Sequence, residues 1–317
     1  MTFPTSPRVG FIGFGNMGAH MASNLATHLA ASSLPPLLVW NRTPSKLPHA
    51  SSAIEHAVSL PGLAERCDVV FTSLLNDEAA KGVYSALFKG IKNEEDGRGR
   101  ETVFVDVSTL YPTTSAELEA QARSVGASYL VAPVFGPPPA AAAAKLVFLL
   151  AGTFPSPAAR EWVISLMVPT MGRKIMELGD DVKRASSFKL TGNAMVIGAM
   201  ELTAEALTLA EKTGVGAKDF FEWIKEFFPA APFTFYGNKM ITHSFAGEGG
   251  FTVEGGLKDA AHIARLARES GCSMPALGRD LAASVANGGK HLDWSSLVAG
   301  PRLAARLNPF TEGGERV

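Results

Sequence analysis

What the chain lacks narrows its function first. Of 317 residues only two are cysteines, Cys67 and Cys272, and they stand far apart, so neither a disulfide framework nor a thiolate metal cluster is available. The seven histidines show no H-x-x-x-H pairing, and no metal site is expected. With 29 basic against 30 acidic residues, the formal net charge is −1, which gives no electrostatic footprint for nucleic acid or an anionic membrane. No apolar run is long and clean enough to span a bilayer. The opening MTFPTSPR runs almost at once into a strand pattern, leaving no room for a signal or transit peptide, and the closing GGERV resembles no targeting tail. The expected location is the cytosol. What remains is a globular composition, 46% hydrophobic and 19% charged, at a length suited to two domains.

One more absence is local. The segment RVGFIGFGNMG, residues 8–18, is a short apolar strand running into Gly13-x-Gly15-x-x-Gly18, and Met17, Met21 and Leu25 follow at helical spacing. Gly13 permits a tight turn, Gly15 lets the backbone approach a pyrophosphate, and Gly18 lets helix and strand pack closely. Phe14, Asn16 and Met17 complete this expected dinucleotide loop. An acidic residue at the end of the next strand would hydrogen-bond the ribose diol of NAD. Here the strand LLVWNRT ends instead in Asn41, Arg42 and Thr43, with Lys46 close behind. A carboxylate repels a 2′-phosphate, whereas a guanidinium grips it through two parallel hydrogen bonds, so the expected cofactor is NADP(H).

Three further strand patterns follow, at 67–75, 102–109 and 128–135, separated by helical or loop material. Strands alternating with helices predict a doubly wound parallel sheet with function at the strands' carboxyl ends, where Leu75, Asn76, Ser108 and Thr109 fall. The charged segment 91–101 is expected to be a solvated loop. Beyond the sheet, SSFKLTGNAMVIGAM (186–200) carries a single charge, Lys189. Leu190, Ala194 and Ile197 form one helical stripe that Leu202, Ala206 and Leu209 extend, to about residue 212. Lys189 and Asn193 lie one turn apart on a shared face, with Ser186 and Ser187 as near neighbours. Such surroundings look more like a lined cavity than a surface. In isolation a lysine at a helix's exposed corner is the commoner reading, and the rest of the chain shifts the balance.

Taken in order, GFIGFGNMG, DVST, APVFG, K-x-x-x-N and a later KD pair resemble the β-hydroxyacid dehydrogenase family, which includes 3-hydroxyisobutyrate dehydrogenases and the related imine reductases. The resemblance runs from residue 8 to about 290. It implies an N-terminal Rossmann domain with a 6-phosphogluconate dehydrogenase-like NADP-binding fold, residues 1–178. A long interdomain helix and an all-α domain that also forms a homodimer, residues 179–317, would follow. It assigns Lys189 as catalytic acid/base, Asn193 and Ser108 as substrate contacts, Leu75, Asn76 and Thr109 as cofactor contacts, and Lys258 as a lysine near the nicotinamide. For the oxidative direction a lysine must titrate below its free value of about 10.4.

The chain also departs from that pattern. Where the family has a serine and two glycines whose N–H groups receive a substrate carboxylate, it reads Phe135-Gly136-Pro137, and proline has no N–H. Ala185 stands where the family often has glycine. The proline–alanine run after Gly136 is expected to be a rigid turn entering a short helix. The aromatic segment 220–240 reads mainly as packing, with Trp223, Phe233, Phe235 and Tyr236 as candidate walls of an apolar substrate pocket and Met240 and His243 as weaker ones. The expected activity is NADP(H)-dependent interconversion of a β-hydroxy acid, or a related alcohol, with its semialdehyde or ketone. The first alternative is NADPH-dependent reduction of a bulky apolar C=N substrate, against which the charge of Lys189 counts. The second is a cofactor-binding scaffold without turnover.

Overall fold

The structure is a computed structural model, and it describes residues 3–91, 102–246, 250–272 and 279–310. The charged segment after Ile91 lies outside the described residues. The chain divides into two compact units at Lys189/Leu190.

The first unit begins with β1 (Val9–Ile12), α1 (Gly18–Ala31), β2 (Leu37–Trp40) and β3 (Ile54–His56). There follow α2 (Leu60–Arg66), β4 (Val69–Thr72), α3 (Asp77–Phe88), β5 (Val103–Asp106), α4 (Pro112–Ser124) and β6 (Ser128–Val131). These six strands form one parallel sheet in the order β3-β2-β1-β4-β5-β6, the doubly wound Rossmann arrangement, whose order reverses between β1 and β4. Parallel strands covered on both faces need continuous apolar runs, and β1, β4 and β5 are buried at every position. Phe11, Phe71, Val105 and Leu25 lie in one apolar layer, and Phe104, Tyr84, Leu63 and Leu87 lie in the other. Each such side chain contributes about 1.5–3 kcal/mol by leaving water.

The unit continues through β7 (Val134–Phe135), α5 (Pro138–Ala142), β8 (Leu146–Leu150), α6 (Pro157–Met167) and β9 (Gly172–Glu177). Here β7, β8 and β9 make a second, mixed sheet, with β7 antiparallel and β9 parallel to β8. The sequence reading missed this sheet and the edge strand β3, because GRKIME and IEH carry charges and their inward residues do not alternate cleanly. The run read as one strand at 128–135 is two: Pro133 interrupts it, and Val134 turns to pair with Phe148. Pro138 starts α5, where proline's missing N–H costs no helical bond.

The helix α7 (Val182–Lys212) is continuous for 31 residues, and the division between the units falls inside it. The second unit continues with α8 (Ala217–Phe227), α9 (Ala231–Thr242), α10 (Val253–Glu269), α11 (Arg279–Ala286) and α12 (Ala299–Ala304). Among the described residues it contains no strand, and no helix of the chain is long and apolar enough to cross a membrane.

Candidate active site

Register fixes where the site elements of the first unit lie. Ile12 pairs with both Trp40 and Thr72, Thr72 with Asp106, and Asp106 with Val131, so the strands end at one level. The segments 13–18, 41–43, 73–76 and 107–109 therefore emerge side by side at the carboxyl edge of the sheet. Gly13 has φ +98°, and a Cβ there would stand 2.1 Å from the Ser73 carbonyl oxygen; a Cβ on Gly18 would meet the Gly13 carbonyl at 2.0 Å. Only glycine satisfies both positions. At Gly15 a Cβ would meet nothing within 4 Å, so the loop is open on that side. The amino end of α1 has neither a side-chain cap nor an acidic residue in its first turn. An open glycine turn leading into an uncapped helix start fits a pyrophosphate, because backbone N–H groups and the helix dipole both favour an anion there.

Asn41 ties the loop to β2. Its Oδ1 accepts from the Phe14 N–H at 3.0 Å, and its Nδ2 donates to the Thr43 carbonyl at 2.8 Å. The Phe14 ring is buried edge-on to Phe11, so this residue anchors the loop through its side chain. Arg42, Thr43 and Lys46 are exposed. The neighbouring acid, Glu55 on β3, is committed to Arg66 and Arg8; the Arg66 hydrogen bond at 2.5 Å leads in holding its carboxyl below the usual range.

A buried polar knot shapes the turn after β5. Asp106 accepts from the Ser108 N–H at 2.8 Å and from the Tyr129 hydroxyl at 3.0 Å, and burial pushes its carboxyl up. The Ser108 hydroxyl accepts from the Leu74 N–H at 2.8 Å, linking the ends of the adjacent strands β4 and β5. Leu75 stands exposed, and Asn76 caps α3 by accepting from the Ala79 N–H at 2.9 Å.

Lys189 is 9% exposed, and its Nζ lies 4.1 Å from the centre of the Phe135 ring. Ser186 on the same helix is buried and hydrogen-bonded to Ser115 at 2.8 Å. In the second unit the Asn193 Nδ2 donates to Asp259 Oδ2 at 2.6 Å, and Lys258 Nζ lies 3.0 Å from the other oxygen of that fully buried carboxylate. Asp259 thus fixes both Asn193 and Lys258. The KD pair was visible in the sequence, but its tie to Asn193, 66 residues away, was not. Trp223 stacks on Phe220 and Phe227 and meets Phe228, which in turn touches Phe233. Tyr236 is buried edge-on to Trp294, with its hydroxyl pushed up by burial.

The family model for the NAD binding domain of 6-phosphogluconate dehydrogenase matches residues 8–178, and that for NAD-binding of NADP-dependent 3-hydroxyisobutyrate dehydrogenase matches residues 184–300. The chain belongs to the β-hydroxyacid dehydrogenase family. Within that family it is 28% identical over 297 residues to the uncharacterized oxidoreductase YfjR of Bacillus subtilis, covering 92% of this chain and 98% of that one. The structure of Mycobacterium tuberculosis 3-hydroxyisobutyrate dehydrogenase with L-serine superposes with a TM-score of 0.75 at 26% identity, covering 94% and 100% of the two chains. A reductive aminase from Aspergillus terreus, in complex with NADPH4, cyclohexanone and allyl amine, shares the fold at a TM-score of 0.58 and 20% identity, over 93% and 99%. The protein is therefore an NAD(P)-binding oxidoreductase of the 3-hydroxyisobutyrate dehydrogenase-like family.

Proposed function

We propose that the protein uses NADP(H) to interconvert a β-hydroxy acid, or a related alcohol, with its semialdehyde or ketone, and that Lys189 is the acid/base. The observation that carries this is the buried ammonium of Lys189, the one charge in residues 186–200, a turn ahead of an Asn193 held by Asp259. The nicotinamide, when bound, supplies or accepts the hydride. Lys189 donates an Nζ proton to the carbonyl oxygen during reduction and regains it from the alcohol during oxidation. Asn193, its amide oriented by Asp259, holds the substrate, as does the turn at Ser108, while Thr109, Leu75 and Asn76 border the cofactor at the sheet edge. Lys258 adds positive charge on the nicotinamide side. Arg42 and Lys46 receive the 2′-phosphate, a role supported by their exposure and by the absence of a carboxylate at the end of β2. A homodimer through the helical unit is supported by Met195, Leu202 and Leu209, three exposed apolar residues at seven-residue spacing on α7.

Phe135 and the prolines after Gly136 favour a second reading, reduction of an apolar C=N substrate, because they remove donors that a carboxylate needs. A cationic imine would be repelled by the Lys189 ammonium, which places this reading second. The test compares NADPH with NADH consumption on a semialdehyde and on an uncharged cyclic imine. Turnover of the aldehyde with NADPH is expected, and Arg42→Glu should shift preference toward NADH by about tenfold or more, the loss of one charge-assisted contact. Turnover of the imine alone would promote the second reading. NADH preference in the wild type would contradict the role of Arg42.

A further inference from the structure

We propose that Phe135 is a positioning residue for Lys189 and selects substrates that carry no carboxylate beside the reacting carbonyl. The proposal rests on the preceding reading of Lys189 and narrows its substrate from the β-hydroxy acid to the related alcohol and its carbonyl partner. The ammonium of Lys189 lies 4.1 Å from the ring centre of Phe135, well within the distance at which a ring face attracts a cation. A ring face carries the negative lobe of the quadrupole, so the Phe135 face turned away from the ammonium disfavours a carboxylate.

The backbone after Gly136 offers an anion few donors in exchange. Gly136 has φ +133°, and a Cβ there would meet Leu146 at 2.9 Å and Ala140 at 3.1 Å, so the chain turns sharply just after the ring. Pro137, Pro138 and Pro139 then occupy the cap and the first two positions of α5. A helix start normally presents free N–H groups to an anion, and three successive prolines delete three of them. The register of β7 against β8, with Phe135 opposite Val147, fixes the strand that carries the ring. Aromatic face, apolar strand and donorless turn together make a surface for an uncharged, apolar substituent. The substrate class is therefore an aldehyde or ketone with an apolar or esterified flank, reduced to its alcohol.

The experiment compares a β-formyl carboxylate with its methyl ester, which share a skeleton and differ in charge, using full-length enzyme and NADPH. The wild type should favour the ester in kcat/KM. Phe135→Ser should bring the two substrates together by raising turnover of the free acid. Phe135→Leu keeps apolar bulk but loses the ring, and should lower kcat on the ester by about 5- to 30-fold with KM nearly unchanged, whereas Phe135→Tyr should restore it. An activity-independent readout accompanies these: in lysine-13C-labelled protein, the ε-methylene protons of Lys189, assigned through Lys189→Met, should show an upfield ring-current shift. That shift should persist in Phe135→Tyr and vanish in Phe135→Leu. A wild-type preference for the free acid overturns the selectivity, and an unshifted Lys189 signal or an unchanged kcat in Phe135→Leu overturns the positioning. Retained activity in Lys189→Met, with the shift and the ester preference present in the wild type, refutes the acid/base reading and leaves the contact and the selectivity of Phe135 standing.

Discussion

In the nucleotide-binding unit the sheet's aromatic residues are sealed off, with Phe11, Phe71 and Phe104 at 0% exposure, while in the helical unit Leu202, Leu209 and Phe227 stay more than 60% exposed. Both units are rich in apolar residues, but they dispose of them differently. A parallel sheet covered on both faces encloses its own core, and its working surface is the polar carboxyl edge. Helices packed side by side leave outward faces, and α8 shows this: Phe221 and Ile224 are buried while Trp223 and Phe227 stack in the open. An exposed aromatic cluster of this kind is a candidate contact surface, whereas the proposed catalytic and cofactor-binding features sit on glycine geometry and buried hydrogen bonds.

The largest effect is expected where the first unit has no slack. Gly13→Ala forces a side chain into positive φ and against the Ser73 carbonyl, costing at least about 1–3 kcal/mol from the backbone alone. NADPH binding, followed by fluorescence quenching, should be lost, and the melting temperature should fall; intact affinity would show that the loop does not hold the cofactor. The second unit should respond in the opposite way. Trp223→Ser with Phe227→Ser removes exposed stacking without opening the core, so the melting temperature should hold while sedimentation velocity shows the proposed dimer weakened. An unchanged oligomer would remove these residues from the interface, and a collapse in stability would make them core.

The smallest effect concerns pH. His243 sits at the end of α9 with φ +53°, and its titration is pushed down from 6.5 by burial first and by the Arg302 guanidinium second. A folded value below the unfolded one means that its contribution to stability is present above about pH 6.5 and is lost as pH falls through the folded value. His243→Gly also suits the left-handed backbone, and it should flatten stability between pH 7 and pH 5 relative to the wild type in urea melts. An unaltered slope would assign the acid sensitivity to other groups.

Much of the first unit was legible because its signals are short-range. A strand, three glycines and a helix within residues 8–31 identify the loop, and Asn41-Arg42-Thr43 follow from the end of the next strand. The second sheet was not legible, since β9 reads GRKIME and pairs only because Leu146–Leu150 lies beside it. Lys189 announced itself as the single charge of residues 186–200, with Asn193 one turn further on the same face. What organises them did not, because Asp259 and Phe135 reach them through tertiary packing that no periodicity records. Similarly, Ser108 read as a substrate contact, and the structure adds its hydrogen bond to the Leu74 N–H, a structural duty invisible in the motif.

The most direct test is single-turnover reduction by the Lys189→Met variant preloaded with NADPH, against wild type. If Lys189 supplies the proton, the chemical step should slow by about 10²- to 10⁴-fold while NADPH affinity is unchanged. A chemical step at the wild-type rate in a variant that still binds NADPH would contradict the assignment.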